Sequence, residues 1–462
     1  MSNNFSIISP NDGQTIATRE YANATIVNET IGRAKLNIRD WHSLEFEERL
    51  KILKLFIKIF ESKKDIIAAS ITEQMGRPIR FTPGEVAGVV DRANKMLSIG
   101  ATALKKLQHE NDGNIERYIE REPLGTLLIV APWNYPFLTV INSLIPALLA
   151  GNSVIIKHSP YTALCAETLV ECLLKAGLPS GICQFLHLTN EDNEKLLRNE
   201  GIDGVIFTGS VNVGRRVEAA TAGRFIPVGL ELGGKDAAYI RPDADISFTA
   251  ENIVEGALFN SGQSCCGIER IYAHADIYDD LIDQILKSSE AFKLGLPTLH
   301  ETMLGPVINK HAAEKIQCQI DDAINCGASA LLSKQNIDHL PDTGTYVSPQ
   351  FLTNVNHEMT FMKEETFGPN AGIMKVHSDE EAIRLINDSE FGLTASIWSA
   401  DKGAVKNIGR RIDAGTIFMN RCDYLDPSLT WSGFKNSGRG YSLGEYGYLQ
   451  VTRPKSFHLR SI

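Results

Sequence analysis

Between residues 125 and 235 the chain repeats one pattern: a short apolar run, then polar or glycine-marked residues, and in most cases a stretch with helical spacing. The runs are Leu127 to Val130, Ser153 to Ile156, Ile182 to Leu186, Gly204 to Phe207 and Ile226 to Leu230, and Ala163 to Ala176 is one of the helical stretches between them. Runs this short and continuously apolar read as strands buried on both faces. Strands alternating with helices read as βαβ units, so the expected class is α/β with a parallel sheet. Such sheets take ligands at the carboxyl ends of their strands. Those ends read Ala131-Pro132-Trp133-Asn134, Lys157-His158-Ser159, Thr208-Gly209-Ser210 and Glu231-Leu232-Gly233-Gly234, the most polar points of the region.

The sequence contains no GxGxxG. In its place stands Phe207-Thr208-Gly209-Ser210-Val211-Asn212-Val213-Gly214. A strand ends there, Gly209 permits close approach, and Ser210 is placed to cap a helix whose N-terminus would receive a pyrophosphate. A turn of this kind is common and gains weight only from its neighbours. Those neighbours are Glu231-Leu232-Gly233-Gly234-Lys235 and Asn260-Ser261-Gly262-Gln263-Ser264-Cys265. A thiol and a carboxylate base together can form a thioester and then hydrolyse it. A free thiol has a pKa of about 8.5 and needs activation to serve as nucleophile. A cysteine without such partners is ordinarily a small buried hydrophobe, and that reading is kept for Cys266.

After residue 236 a second unit follows, with helices expected near 244–260, 276–293 and 310–326 and a loop at 363–369. A chain of 462 residues is too long for one core, so two or three domains are expected. A formal charge of −10 argues against a general nucleic-acid or membrane-surface binder, while leaving room for a local basic pocket. The eight cysteines form no CxxC, which suits reduced thiols in a cytoplasmic protein. The stretch from Met1 to Gly13 has no apolar signal core. Phe137 to Ala150 is broken by Asn142, Ser143 and Pro146 and is too short to span a bilayer, so it reads as a buried helix. The histidines show no metal-ligand spacing. Residues 41–75 read as a helix pair with Ser43 as N-cap, ended by Gly76 and Pro78. Asn114 to Glu122 reads as an exposed strand pair, an edge that invites another subunit. The tail from Gly440 to Ile462 is apolar enough to dock as an ordered arm.

Taken together, these stretches resemble the aldehyde dehydrogenase superfamily, in the family's order and over nearly the whole chain. The matching pieces are Pro132-Trp133-Asn134-Tyr135-Pro136, Gly151-Asn152 with Lys157, Phe207-Thr208-Gly209-Ser210 with Gly214, Glu231 to Lys235, Gly262-Gln263-Ser264-Cys265, Glu364-Glu365-Thr366-Phe367-Gly368-Pro369, Phe391-Gly392-Leu393 and Lys435-Asn436-Ser437-Gly438. The resemblance implies a Rossmann-like cofactor domain (1–113 and 124–235), an α/β catalytic domain (236–434), and an oligomerisation hairpin with a C-terminal arm (114–123 and 440–462). It implies a homodimer or homotetramer, and NAD or NADP as cofactor.

The same resemblance implies roles. Cys265 is the nucleophile, Asn134 and the nucleophile's own N–H hold the alkoxide, and Glu231 activates water to release the acid. Lys157 meets the adenosine ribose and Ser210 the pyrophosphate, with Gly209, Gly214, Pro132, Trp133 and Leu232 around them. Glu365 holds the nicotinamide ribose, with Phe367 beside it. Two departures stand out. Pro160 occupies the place where NAD-selective relatives often carry a Glu, so NADP is admissible, with His158 a candidate to help bind a 2′-phosphate. Thr430-Trp431-Ser432-Gly433 replaces the family's Pro-Phe-Gly-Gly. Tyr135, Asn142, Arg421, Tyr424, Leu425 and Trp431 are candidates to line the substrate tunnel. Arg421 would clamp a carboxylated aldehyde, although a structural ion pair explains it slightly better. The Lys157-His158 pair resembles a succinate-semialdehyde dehydrogenase branch. Two rivals stand beside an acid-forming dehydrogenase: a semialdehyde dehydrogenase that passes the acyl group to coenzyme A, and a non-catalytic homologue. Glu231 weighs against the first. The presence of Cys265, Glu231 and Asn134 together weighs against the second.

Overall fold

The computed structural model describes residues 3–111 and 113–462; Met1, Ser2 and Asp112 lie outside it. The five apolar runs form the strands Thr126–Ala131, Ser153–His158, Cys183–Phe185, Gly204–Thr208 and Val228–Glu231, all in one sheet with parallel neighbours. Across the sheet the order runs from 183–185 through 153–158, 126–131 and 204–208 to 228–231, and Gly438–Arg439 closes that edge antiparallel. Chain order therefore reverses between Thr126–Ala131 and Gly204–Thr208, the switch point where a crevice opens at the carboxyl ends. Every residue of Thr126–Ala131 and Ser153–His158 is buried, because helices cover both faces.

The chain leaves this sheet at Glu231 and enters a second one at Asp236, with only Leu232-Gly233-Gly234-Lys235 between. The second sheet has seven strands in the order Ser329–Ala330, Gln350–Thr353, Asn370–Val376, Ile268–His274, Asp236–Ile240, Thr394–Trp398, Thr416–Met419, parallel except for the first pair. Helices Ile246–Leu258 and Tyr278–Ser289 pack Ile253, Val254, Leu281 and Ile285 on one face of it. Ile383, Leu385, Val405 and Ile408 cover the other.

The N-terminal region holds more helix than a pair. Ala24–Ser43, Phe46–Ser62 and Lys64–Met75 follow one another, and the last ends at Gly76 in the left-handed region, φ 81°. Ser43 does not cap the second helix. It closes the first, its hydroxyl donating to Asp40 O at 2.9 Å, and Glu45 takes the cap position, its N–H donating to Glu48 Oε2 at 3.0 Å. The expected strand pair at 114–122 is likewise one strand, Ile115–Pro123, between Leu107–Gln108 and the C-terminal strand Thr452–Arg460. Alternation of charge marked the strand, but the partner lies more than 300 residues away and no local turn signal announces it. Tyr118 stacks on Phe457 across that pair, ring centroids 4.6 Å apart. No helix among the described residues is long and apolar enough to cross a membrane.

Lys235 locks the passage between the two sheets. It is buried, and its ammonium meets Glu269 Oε2 at 2.5 Å and Thr366 Oγ1 at 3.1 Å. The same Glu269 carboxylate accepts from the N–H groups of Thr366 and Phe367, each at 2.9 Å. One ion pair thus fixes the crossover, the first turn of a central strand and the loop at 364–369. Removing one partner of a buried pair leaves the other charge uncompensated. Lys235→Met is expected to lower the unfolding free energy by about 3–5 kcal/mol, measured by chaotrope titration, with partial recovery in Lys235→Met/Glu269→Leu.

Candidate active site

A cavity of about 990 Å³ opens where the carboxyl ends of the first sheet face the helices and loops of the second. Cys265 reaches it from the end of an unusual turn. Asn260, Ser261 and Gly262 all have positive φ, 55°, 54° and 69°. Non-glycine residues hold that region only when their surroundings enforce it. Here both are buried and tied: Ser261 Oγ donates to Gly305 O at 2.9 Å, and Asn260 Nδ2 reaches Asn134 O and Gln263 O at 3.3 Å. Gln263 explains the Gly-Gln step. Its Nε2 donates to Asn260 O at 3.1 Å and its Oε1 accepts from Ile308 N at 2.8 Å, so the turn is nailed at both ends of one side chain. Cys265 itself stays half-buried, with its neighbour Cys266 fully inside. Cys266 Sγ donates to Asp423 Oδ1 at 3.0 Å, and Ser264 Oγ donates to the same oxygen at 2.6 Å. Cys266 is thus a buried thiol tied to Asp423 in the cavity wall.

Asn134 sits directly against this turn. Its Nδ2 donates to Gln263 O at 3.0 Å, which places the amide two residues from the nucleophile. The carbonyl of Asn134 is gripped from behind by Arg77, a buried guanidinium that also pairs with Glu85 and donates to Asn260 Oδ1 at 2.9 Å. Glu85 in turn accepts from Phe137 N at 2.9 Å and Leu138 N at 3.3 Å. Arg77 and Glu85 went unnoticed in the sequence. An Arg before a Pro and a Glu in the first turn of helix Thr82–Ala103 look like surface residues, and only packing reveals the brace.

Glu231 ends its strand at the cavity wall, where Thr208 Oγ1 donates to its Oε2 at 3.1 Å. Burial pushes its carboxyl above the usual range. Farther along the groove Glu365 accepts from Gly234 N at 2.9 Å, and burial raises its carboxyl to about 7. Phe367 stands edge-on to Trp133, centroids 5.6 Å apart. Ser210 precedes helix Val211–Thr221 in extended conformation, but its exposed hydroxyl makes no cap bond; it stays free at the helix N-terminus. Gly214 gives room to Leu232, which lines the cavity, because a Cβ there would lie 2.6 Å from Leu232 Cδ2. Pro132 and Gly209 also line it. Lys157 and Gly214 lie behind that wall. Lys157 is buried, and burial alone pulls its ammonium down to about 8. A helix N-terminus with a free hydroxyl and a buried lysine are donors for a dinucleotide's phosphates and ribose, and the Glu365 carboxyl is an acceptor for a ribose diol.

One expectation is corrected. His158 does not face this groove. Successive strand residues point to opposite faces, so where Lys157 goes one way His158 goes the other. Its Nε2 lies 2.9 Å from Pro136 O and its Nδ1 3.2 Å from Thr162 Oγ1, and burial depresses its pKa to about 4. It is a neutral core residue that steadies the Pro136 turn. Arg421, a candidate to line the tunnel, does line the cavity, at its exposed mouth, its guanidinium stacked 3.5 Å from the centre of the Tyr424 ring. Tyr135, Asn142, Tyr424, Leu425 and the buried Trp431 line the cavity as well. Gly262→Ala would place a Cβ 1.9 Å from Gly368 O. The variant is expected to lose about 1–3 kcal/mol of stability by thermal unfolding and to alter the rate at which iodoacetamide alkylates Cys265.

Comparison with known proteins agrees with this architecture. The sequence model of the aldehyde dehydrogenase family matches residues 1–457. A succinate-semialdehyde dehydrogenase [NADP(+)] of Deinococcus radiodurans is 32% identical over 453 residues, 98% of this chain and 94% of the relative. A succinate semialdehyde dehydrogenase [NAD(P)+] of Escherichia coli is 30% identical over 440 residues, 95% of this chain and 94% of the relative. Among solved structures, succinic semialdehyde dehydrogenase from Streptococcus pyogenes in complex with NADP+ superimposes with a TM-score of 0.94 at 27% identity, covering 99% of this chain and 100% of that one. The chain belongs to the aldehyde dehydrogenase family.

Proposed function

We propose that this protein oxidises a carboxylated aldehyde of the succinate semialdehyde type to the acid, with NADP or NAD as the oxidant. The reaction class, NAD(P)-dependent oxidation of an aldehyde, follows from the family. The observation that carries the chemistry is the convergence of Cys265, Asn134 and Glu231, from three distant stretches, on one cavity. The names of the relatives support the carboxylated substrate and NADP.

The Cys265 thiolate adds to the carbonyl carbon and forms a tetrahedral alkoxide. The amide of Asn134 and the Cys265 N–H are the donors for that oxygen, and their backbones are held by Arg77, Asn260 and Gln263 before substrate arrives. A nicotinamide dinucleotide held by Lys157, Ser210 and Glu365 would supply the hydride acceptor for the collapse of that alkoxide. A thioester on Cys265 remains. Glu231 leaves Thr208, takes a proton from water, and the resulting hydroxide releases the acid. The raised pKa of Glu231 makes it a better base than an exposed carboxylate. Lys157, Ser210 and the helix that follows, Glu365 and Phe367 would hold the dinucleotide. With Pro160 after the lysine and His158 turned away, Lys157 is the one sequence-predicted group left to meet a 2′-phosphate.

In this reading the first sheet with its N-terminal helices is the cofactor domain and the second sheet the catalytic domain. The sheet of Ile115–Pro123 and Thr452–Arg460 serves assembly, as a homodimer or homotetramer, its C-terminal strand being an edge with mostly exposed side chains. Eight free thiols suit the cytoplasm.

Steady-state reduction of NAD and NADP over carboxylated and uncharged aldehydes tests the proposal. Cys265→Ala should abolish turnover. Glu231→Gln should lower it by about 10²–10⁴-fold with acyl-enzyme accumulating, visible by intact mass. Turnover dependent on coenzyme A would overturn the hydrolytic reading. The buried ammonium of Lys157 is charged below about 8 and lost above it. Affinity for NADP should therefore weaken as pH rises through 8, more steeply than affinity for NAD, and Lys157→Met should remove the difference; calorimetric titration reads both.

A further inference from the structure

The cavity holds a cation that the mechanism above does not use. Arg92, on helix Thr82–Ala103, turns its guanidinium into the wall formed with Tyr135, Asn142 and Trp431. Its Nη1 donates to Asn142 Oδ1 at 3.2 Å and more weakly to Leu138 O at 3.4 Å. Among the described residues no carboxylate forms an ion pair with it. Of the buried cations near the site, Arg77 is matched by Glu85 and Lys235 by Glu269, while Lys157, on the cofactor side, has no ion-pair partner among the described residues. A guanidinium carries five N–H donors in a fixed fork, and here only one nitrogen is occupied. Arg92 is half-buried and its remaining donors are not sealed away from solvent, so they are available to an anionic group entering the cavity.

We propose that Arg92, aimed by Asn142, is the residue that recognises the distal carboxylate of the substrate. This rests on the carboxylated-aldehyde reading and says what would create it. Arg421 is a poor rival. It lies at the open mouth, and Asp423 and Glu255 share its surroundings, both acting with it on the Cys422 thiol, so the local charge there is not positive. Arg92 sits deeper, where lower dielectric strengthens a charge-assisted hydrogen bond. Trp431, Tyr135 and Leu138 supply the apolar walls that a short methylene chain would need between its two ends. One guanidinium balances a carboxylate monoanion; a phosphate dianion would keep a surplus charge. Glu231 also feels Arg92, as do Glu85, Cys266 and Tyr135. If Arg92 served only to hold Glu231, its loss would affect every aldehyde alike.

The test compares succinate semialdehyde with its neutral methyl ester, and with glyceraldehyde 3-phosphate, in wild type, Arg92→Met and Arg92→Lys. The expected result is a wild-type preference for the acid over the ester that falls about 10–10²-fold in Arg92→Met, mainly through KM, and recovers in part in Arg92→Lys. Succinate should also slow iodoacetamide labelling of Cys265 in wild type and not in Arg92→Met. A preference for the acid that survives in a folded Arg92→Met overturns the assignment while leaving the substrate reading intact. An equal fall for acid and ester overturns it in favour of a role on Glu231. A wild-type preference for the phosphate that Arg92→Met abolishes overturns the carboxylate. No wild-type preference for any anionic aldehyde overturns the substrate reading itself, and this inference with it. If Arg92→Met fails to fold, Arg92→Lys and the wild-type protection by succinate decide: no protection and no change in Arg92→Lys overturn the proposal.

Discussion

The site depends on buried charges that are paired before any ligand arrives. Lys235 and Glu269 hold the crossing between two sheets and, through backbone N–H groups, the loop carrying Glu365 and Phe367. Arg77 and Glu85 hold the turn of Asn134 and the turn of Asn260 against one another. A buried ion pair is weak evidence for stability, since desolvation offsets much of the attraction. Its use here is geometric. A forked guanidinium or a two-oxygen carboxylate bonds several backbone groups at once, and so fixes loops that share no hydrogen-bond ladder.

The reactive groups are treated differently. Cys265 remains half-buried, Glu231 has one hydroxyl as a donor, and Glu365 has one backbone N–H. Each is free to exchange its partner. Burial raises the carboxyls of Glu231 and Glu365 because neither is paired directly with a cation and desolvation outweighs the more distant ones, whereas the scaffold pairs have theirs in contact. Rigid scaffold and loosely held reagents are separate populations of side chains within the same few ångströms. Arg92 belongs to the second group by its missing counter-charge, although its neighbour Asn142 keeps it aimed.

Much of this was legible along the chain. Short continuous apolar runs bounded by turn residues suit strands covered on both faces, and all five became strands of one sheet, the three central ones almost wholly buried. The polar residues at their ends had to fall at the crevice. Asn134, Glu231 and Cys265 stood out because each combines a reactive group with backbone restriction by Pro or Gly. Ser43 and His158 failed for local reasons. A serine near a helix start was read as a cap without knowing that a preceding helix extended to it. A histidine beside the strand-end lysine reads as its partner, although strand alternation sends it to the other face.

What the sequence by itself determined is the alternation of strand and helix, the chemistry stationed at strand ends, and the family that unites them. Those features are encoded in periodicity and in residues whose backbone preferences are local. What only tertiary structure decided is which charges are buried and with whom. Arg77, Arg92 and Arg421 are indistinguishable as letters. One became a brace, one faces the cavity without an anion, and one lies on a tyrosine at the mouth. The free energy of a charge is set by its dielectric surroundings and by partners tens to hundreds of residues away, and neither is a property of the local sequence.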